Sequence, residues 1–144
     1  DNRFDAEVWL LDMSTRLESF MSNPAARLNF LKLVHAEATL AGLEPEFVLA
    51  VIEVESRFKR FAISPVGALG YMQVMPFWLE ELDLADADLF DAQTNLRFGC
   101  TILRHYLDRE KGDKTRALAR YNGSLGSYRY PQKVYAAFDQ RWSP

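Results

Sequence analysis

The stretch Val48–Pro76, VLAVIEVESRFKRFAISPVGALGYMQVMP, decides the fold, because a helix with one carboxylate on its apolar face runs into a glycine-containing loop. Pro45 suits the first position of this helix, where its missing N–H would be unpaired anyway. At about 100° per residue, Glu46 and Glu53 fall opposite the apolar face and can stay in water. Glu55 projects into the middle of that face. The face consists of Phe47, Val48, Val51, Ile52, Val54 and Phe58.

The carboxylate of Glu55 allows two interpretations. A carboxylate removed from water finds a partner or keeps its proton, with a raised pKa, and an acid that is protonated near neutral pH can act as a general acid. Alternatively, Glu55 lies at a frayed helix end and returns to solvent, or pairs with Arg57 or Arg60. The helix pattern leaves both interpretations open.

The loop that follows, Ile63–Gln73, favours a ligand-binding role. It mixes two glycines and a proline with polar and apolar side chains. Such a segment lets the backbone approach a ligand closely and lines a cleft with donors and acceptors. The alternative is an ordinary surface turn, although such turns rarely contain Ile, Val, Leu, Tyr and Met in so short a space.

Three separated motifs occur in order. They are Glu55-Ser56, then Ala62-x-Ser64-Pro65-x-Gly67-Ala68-x-Gly70-Tyr71-Met72-Gln73-x-Met75-Pro76, and later Tyr121-Asn122. This set resembles the signature of bacterial soluble lytic transglycosylase catalytic domains, lysozyme-like enzymes that cleave peptidoglycan glycan strands. The resemblance implies a mainly α, lysozyme-like single domain over residues 1–144, α+β only in the broad sense, with at most a very short β element. It covers residues 45–144, and residues 1–44 are expected to form additional N-terminal helices.

The resemblance also assigns roles to individual residues. Glu55 matches the catalytic glutamate. The implied substrate-binding residues are Ser56, Ser64, Tyr71, Met72, Gln73, Tyr121 and Asn122. Tyr71 stands where the family usually has Leu, and it either stacks on a sugar or fills space. Tyr121, which residue type alone would place in the core, is expected to donate its hydroxyl hydrogen to Glu55.

The implied reaction is assisted by the substrate. Glu55 protonates the oxygen between N-acetylmuramic acid and N-acetylglucosamine, and the acetamide of the muramic acid stabilises the cationic centre. Glu55 then takes a proton from the 6-hydroxyl, which closes a 1,6-anhydro ring. Two alternatives stay open: a muramidase of the goose-lysozyme type, and a non-catalytic peptidoglycan-binding domain.

Composition narrows the class of protein. A chain of 144 residues with 49% hydrophobic and 26% charged residues is globular. Its net charge of −3 argues against a nucleic-acid-binding protein, and no apolar run is long enough for a transmembrane segment. No metal-ligand or cofactor-binding motif is present, so we expect neither, and the single Cys100 is expected in the core.

The remaining expectations concern context and secondary structure. The resemblance implies a monomer that acts on peptidoglycan in the periplasm or cell envelope, and the missing initiator Met and signal peptide indicate a processed or trimmed chain. A first helix with Phe4, Val8, Leu11 and Leu17 on its apolar face is predicted. The predicted helices are 4–20, 24–41, one opened by Pro45, a short one after Pro76, 92–110, 114–121 and one after Tyr130.

Overall fold

The computed structural model describes residues 2–144, with side chains from Arg3 onward, and it confirms a mainly α fold. Seven α-helices precede a short π-helical segment at the carboxyl end. Their bounds are α1 Asn2–Leu17, α2 Pro24–Leu40, α3 Pro45–Ser56, α4 Phe77–Glu81, α5 Ala92–Arg109, α6 Lys114–Asn122 and α7 Arg129–Ala137, followed by the π-helical segment Phe138–Trp142. Within residues 2–144 the only β-structure consists of two isolated bridges, Ile63 with Leu69 and Leu69 with Val74.

Helix α3 lies at the centre of the molecule. Its residues from Phe47 to Ile52 are all buried, and it packs against α2, α7 and the π-helical segment. A helix that is surrounded on most sides has no true solvent face. Burial therefore extends to the side that the sequence pattern assigned to water.

Glu53 is the residue that this burial affects most, and the prediction that it stays in water is wrong. Only 6% of it is exposed. Arg141 of the π-helical segment donates two hydrogen bonds to its carboxylate, at 2.6 and 2.8 Å, and the indole N–H of Trp142 donates a third at 3.0 Å. Burial alone would raise the pKa of Glu53, but these hydrogen bonds outweigh it and hold the pKa below its ordinary value. Glu53 thus fastens the carboxyl end of the chain to α3.

The apolar face predicted for α1 is also wrong in part. Phe4, Val8 and Leu11 are 63%, 49% and 67% exposed, whereas Leu17 is buried as expected. The stripe that meets the body runs through Trp9, Met13 and Leu17, spaced four residues apart. Hydrophobicity alone cannot choose between two apolar stripes on one helix. The choice was made by the surfaces of α2 and the π-helical segment, against which α1 packs.

The chain reverses sharply at the end of α3. Arg57 and Phe58 both have positive φ values, 51° and 63°, a conformation that is unfavourable for residues with a side chain. Phe58 is nevertheless buried, with its ring 5.5 Å from that of Trp142 and 5.0 Å from that of Phe20. This aromatic packing offsets the backbone strain and fixes the direction in which the loop leaves Glu55.

No helix among the described residues is long and apolar enough to cross a membrane. The buried core joins all the helices except α4, whose residues are only partly covered. Cys100 lies in this core as expected, 4.0 Å from the sulfur of Met72, and burial raises the pKa of its thiol to about 12.

Candidate active site

Glu55 lies in the last turn of α3 and faces an open cleft of about 330 Å³. Burial raises the pKa of its carboxyl to about 7, and a hydrogen bond from Tyr130 acts in the opposite direction. The alternative pairing with an arginine is not what the structure shows. Arg57 lies over the ring of Phe20, and Arg60 donates to the carbonyl of Phe90. Glu55 can therefore hold a proton near neutral pH and release it to a ligand.

Tyr130 is the hydrogen-bond partner of Glu55. Its hydroxyl donates to Oε2 of Glu55 at 2.7 Å, and its ring is buried in the first turn of α7. Pro131 follows without breaking the helix, because the first turn needs no backbone N–H. The sequence pattern indicated only a helix start at this Tyr-Pro pair. The available signal was that Tyr130 shares a helix face with Val134, so a buried hydroxyl would need an acceptor.

Tyr121 was expected to bind Glu55, and this expectation is wrong. Its hydroxyl donates instead to the backbone carbonyl of Met72, at 2.7 Å. Burial raises the pKa of Tyr121 well above its ordinary value, and the nearby charge of Glu55 raises it further. Tyr121 therefore lies beside the acid, but its hydrogen bond holds the 63–74 loop against α6.

Ser64 and Gln73 use their side chains within the loop. The hydroxyl of Ser64 accepts hydrogen bonds from the backbone N–H groups of Val66 and Ala68, at 3.3 and 3.0 Å. The amide nitrogen of Gln73 donates to the carbonyls of Ala62 and Gly70, at 3.1 and 3.0 Å. Both residues thus set the shape of the loop, and neither is among the side chains that line the Glu55 cleft.

Three further predicted site residues have their side chains in the interior. The hydroxyl of Ser56 donates to the carbonyl of Ile52 one turn earlier. Tyr71 is 7% exposed and its ring packs 4.6 Å from that of Phe30, so it fills space and does not stack on a sugar. Met72 is fully buried against Gly99. Their side chains therefore pack in the interior and do not line the cleft.

Asn95 connects the loop to α5. Its buried amide accepts from the N–H of Met72 at 2.8 Å and donates to the carbonyls of Leu69 and Leu89. Gly70 passes so close, with φ of 76°, that a Cβ there would collide with Asn95. Asp91, by contrast, caps α5 by accepting a hydrogen bond from the N–H of Thr94.

The lining of the cleft comes mostly from residues 122–133, which comprise the end of α6, the loop after it and the start of α7. Asn122, which was predicted to bind substrate, lines the cleft and donates to the hydroxyl of Ser124 at 2.8 Å. Most of the other lining residues were not predicted, because Ser124 and Ser127 lie in a loop without a periodic signal and the α7 residues belong to none of the matched motifs. The full lining is Val54, Glu55, Asn122, Ser124, Ser127, Arg129, Tyr130 and Lys133.

Two further observations concern other places where catalysis could occur: a metal site and a second groove. Among the described residues, no three His, Cys, Asp or Glu side chains come together as they would around a metal ion. A larger groove of about 520 Å³ lies beside α5, but its one ionisable side chain, Arg97, is already paired with Glu37. The Glu55 cleft is where a proton can be transferred.

Comparison with known proteins agrees with this geometry. Residues 32–142 match the family model described as "Transglycosylase SLT domain". The chain is 32% identical over 107 residues to a transglycosylase of Enterobacteria phage PRD1, which covers 74% of this chain and 39% of that protein. It is 34% identical over 111 residues to the membrane-bound lytic murein transglycosylase F of Desulfosudis oleivorans, covering 73% of this chain and 24% of the relative.

A solved structure shows the same fold. The lytic transglycosylase Slt of Pseudomonas aeruginosa superposes with a TM-score of 0.59 at 28% identity, over 69% of this chain and 17% of that protein. The chain thus spans well under half the length of these relatives. Because the family model covers most of the sequence and the fold agrees, the chain belongs to the transglycosylase SLT domain family, within the lysozyme-like superfamily.

Proposed function

We propose that this domain is a peptidoglycan lytic transglycosylase that cleaves the β-1,4 bond between N-acetylmuramic acid and N-acetylglucosamine without consuming water. The observation that carries the proposal is Glu55, an acid with a pKa of about 7 that faces an open cleft. The family supports it, since one relative is named a transglycosylase and another a membrane-bound lytic murein transglycosylase. The Pseudomonas aeruginosa relative was solved as an inactive glutamate-to-glutamine variant.

The number of carboxylates in the cleft favours a substrate-assisted route. Most glycosidases use two carboxylates on opposite sides of the scissile bond. Among the described residues, Glu55 is the only carboxylate that lines this cleft. The N-acetyl group of the muramic acid then takes the place of the second carboxylate and stabilises the positive charge at the anomeric carbon.

The proton balance passes through Glu55 twice. The protonated carboxyl first gives its hydrogen to the leaving oxygen of N-acetylglucosamine. The resulting carboxylate is stabilised by the hydrogen bond from Tyr130. It then removes the proton of the 6-hydroxyl, whose oxygen attacks the anomeric carbon and closes the 1,6-anhydro ring. A pKa near the working pH suits a group that must both donate and accept.

The substrate sets the location and partners that we propose. Peptidoglycan strands lie in the bacterial envelope, so the domain acts in the periplasm or at the cell wall, as a monomer on a glycan strand. A net charge of −3 gives it no general attraction to nucleic acid.

Mass spectrometry of digested peptidoglycan tests the proposal. We expect products that end in 1,6-anhydro-N-acetylmuramic acid, each one water lighter than the corresponding reducing end. Reducing ends would instead establish a muramidase. Intact strands, with binding retained, would establish a non-catalytic peptidoglycan-binding domain.

A further inference from the structure

The Glu55 cleft contains two cationic side chains that the acid–base chemistry does not use. Arg129 and Lys133 stand four residues apart on α7, so they project from the same side of that helix. Both line the cleft together with Glu55. Tyr130, between them in sequence, turns inward to the acid.

Neither cation is neutralised by the protein. In the part of the chain that the structure describes, seven arginines have a carboxylate within 4.0 Å. Neither Arg129 nor Lys133 has one among the described residues. The paired arginines are Arg3, Arg16, Arg97, Arg104, Arg116, Arg120 and Arg141. An unpaired cation on an open surface is ordinary, as at Arg109 on α5. Two of them in the cleft that contains the acid indicate an anionic ligand.

The two cations also leave Glu55 undisturbed. A positive charge close to a carboxyl lowers its pKa. The pKa of Glu55 is set by burial and by the Tyr130 hydrogen bond, and neither Arg129 nor Lys133 contributes to it. Arg129 and Lys133 are therefore available to a ligand in the cleft without lowering the pKa of Glu55.

On the basis of the proposed function, we propose that Arg129 and Lys133 bind a carboxylate carried by the 3-O-lactyl substituent of N-acetylmuramic acid. This substituent is what distinguishes muramic acid from N-acetylglucosamine. On strands without peptide, the carboxylate is the free end of the lactyl group. Where a stem peptide is attached, the lactyl carboxylate has become an amide, and the carboxylates are those of the peptide. The cationic pair therefore selects peptidoglycan over neutral polymers of N-acetylglucosamine.

Binding measurements on the Glu55→Gln background test this selection, since the ligand is then not consumed. Three tetrasaccharides are compared by calorimetry: a neutral chitotetraose, a peptide-free murein fragment and the same fragment with stem peptides. The variant Arg129→Gln/Lys133→Gln is compared with Arg109→Gln, a control that removes an exposed positive charge from a residue that does not line the cleft.

We expect the double variant to lose roughly three- to twentyfold in affinity for the anionic ligands, since an exposed ion pair contributes a factor of up to about five. Affinity for chitotetraose and for all ligands of the control should stay unchanged, and the difference should shrink at high salt. A loss limited to one anionic ligand supports the proposal and identifies the source of the carboxylate.

An equal loss for chitotetraose, or no loss for either anionic ligand, overturns the proposal. The proposed function is judged separately, from the products of the unmodified protein. The unmodified protein could yield no anhydro ends although the double variant still loses affinity for the anionic ligands. The proposed lytic activity would then be wrong, and the proposed cationic site would be supported. If anhydro ends form and the loss is absent, only the cationic site fails.

Discussion

At the scale of single residues, the site depends on the contrast between two neighbouring glutamates. Glu53 and Glu55 both belong to a buried helix, but Glu53 has an arginine and a tryptophan as partners, whereas Glu55 has one tyrosine. The pKa of Glu53 is therefore lowered and that of Glu55 is raised to about 7. The number of partners decides which carboxylate is structural and which can transfer a proton.

Replacing Glu55→Gln should lower the cleavage rate by about 10²- to 10⁴-fold, the usual contribution of general acid–base catalysis. The amide keeps the shape and an acceptor for Tyr130 but cannot donate and recover a proton. Cleavage is measured by release of soluble fragments from peptidoglycan. The circular dichroism spectrum and glycan binding serve as controls and should not change. A rate within about threefold of the unmodified protein would remove Glu55 from its proposed role.

Tyr130→Phe and Tyr121→Phe form a matched pair, because each removes one hydroxyl beside Glu55. Loss of the Tyr130 hydrogen bond should raise the pKa of Glu55, so the fall of activity at high pH moves to higher pH. The rate should drop by roughly ten- to a hundredfold, since a hydrogen bond to a charged group contributes about 1.5–3 kcal/mol.

Tyr121→Phe should leave that pH limb in place, because its hydroxyl binds Met72 and not Glu55. The measurement is the pH dependence of kcat for both variants and the unmodified protein. Equal shifts in the two variants, or a shift only in Tyr121→Phe, would contradict the assignment of Tyr130.

At the scale of elements, the site is held by segments that are distant in sequence. Glu55 comes from α3 and Tyr130 from α7, while Asn95 of α5 and Tyr121 of α6 fasten the intervening loop through Met72. The π-helical segment in turn is joined to α3 by Glu53 and to α1, where Arg16 donates to the carbonyls of Arg141 and Ser143. Except for the exposed bond from Arg16 to Arg141, each of these connections uses a buried or half-buried polar group, and the need to pair that group constrains the relative position of the helices.

Arg141→Met should destabilise the protein by about 2–4 kcal/mol, because it leaves a buried carboxylate without its main partner. The value lies below the upper range for buried pairs because the side chain of Arg141 is 40% exposed. Urea unfolding measures the free-energy change. The double variant Glu53→Gln/Arg141→Met should recover part of the loss, since the uncompensated charge is gone. Equal instability of the single and double variants would show that packing, not charge, is responsible.

At the scale of the whole molecule, the raised pKa of Glu55 couples stability to pH. The folded protein binds a proton up to about pH 7, whereas an unfolded chain releases it near the ordinary value of 4.5. Between these values the folded state holds more protons, so the free energy of unfolding falls as pH rises. The stabilising contribution of Glu55 is fully present below about pH 4.5 and is lost through about pH 7.

Glu55→Gln should therefore gain stability relative to the unmodified protein as pH rises. The gain between pH 4 and pH 8 should reach up to about 3 kcal/mol, at 1.36 kcal/mol for each unit of pKa shift. Urea unfolding of both proteins across this pH range measures it, and contributions from all other groups cancel in the difference. A difference independent of pH would mean that Glu55 titrates normally in the folded protein.

The sequence by itself determined the helices, their approximate bounds and the importance of Glu55. Prolines at helix starts act locally, so the helices that begin near Pro45 and Pro76 could be predicted without the fold, and the carboxylate of Glu55 on an apolar face stood out from its own helix. The motifs added the family.

Only the tertiary structure decided which groups meet across the chain. Tyr130 and Glu55 are separated by 75 residues, and Glu53 and Arg141 by 88. No local pattern can distinguish Tyr121 from Tyr130 as the donor, or show that Glu53 lies beneath the carboxyl-terminal segment. Those outcomes depend on how whole helices pack, because a buried polar group takes whichever partner the packing brings within hydrogen-bond distance.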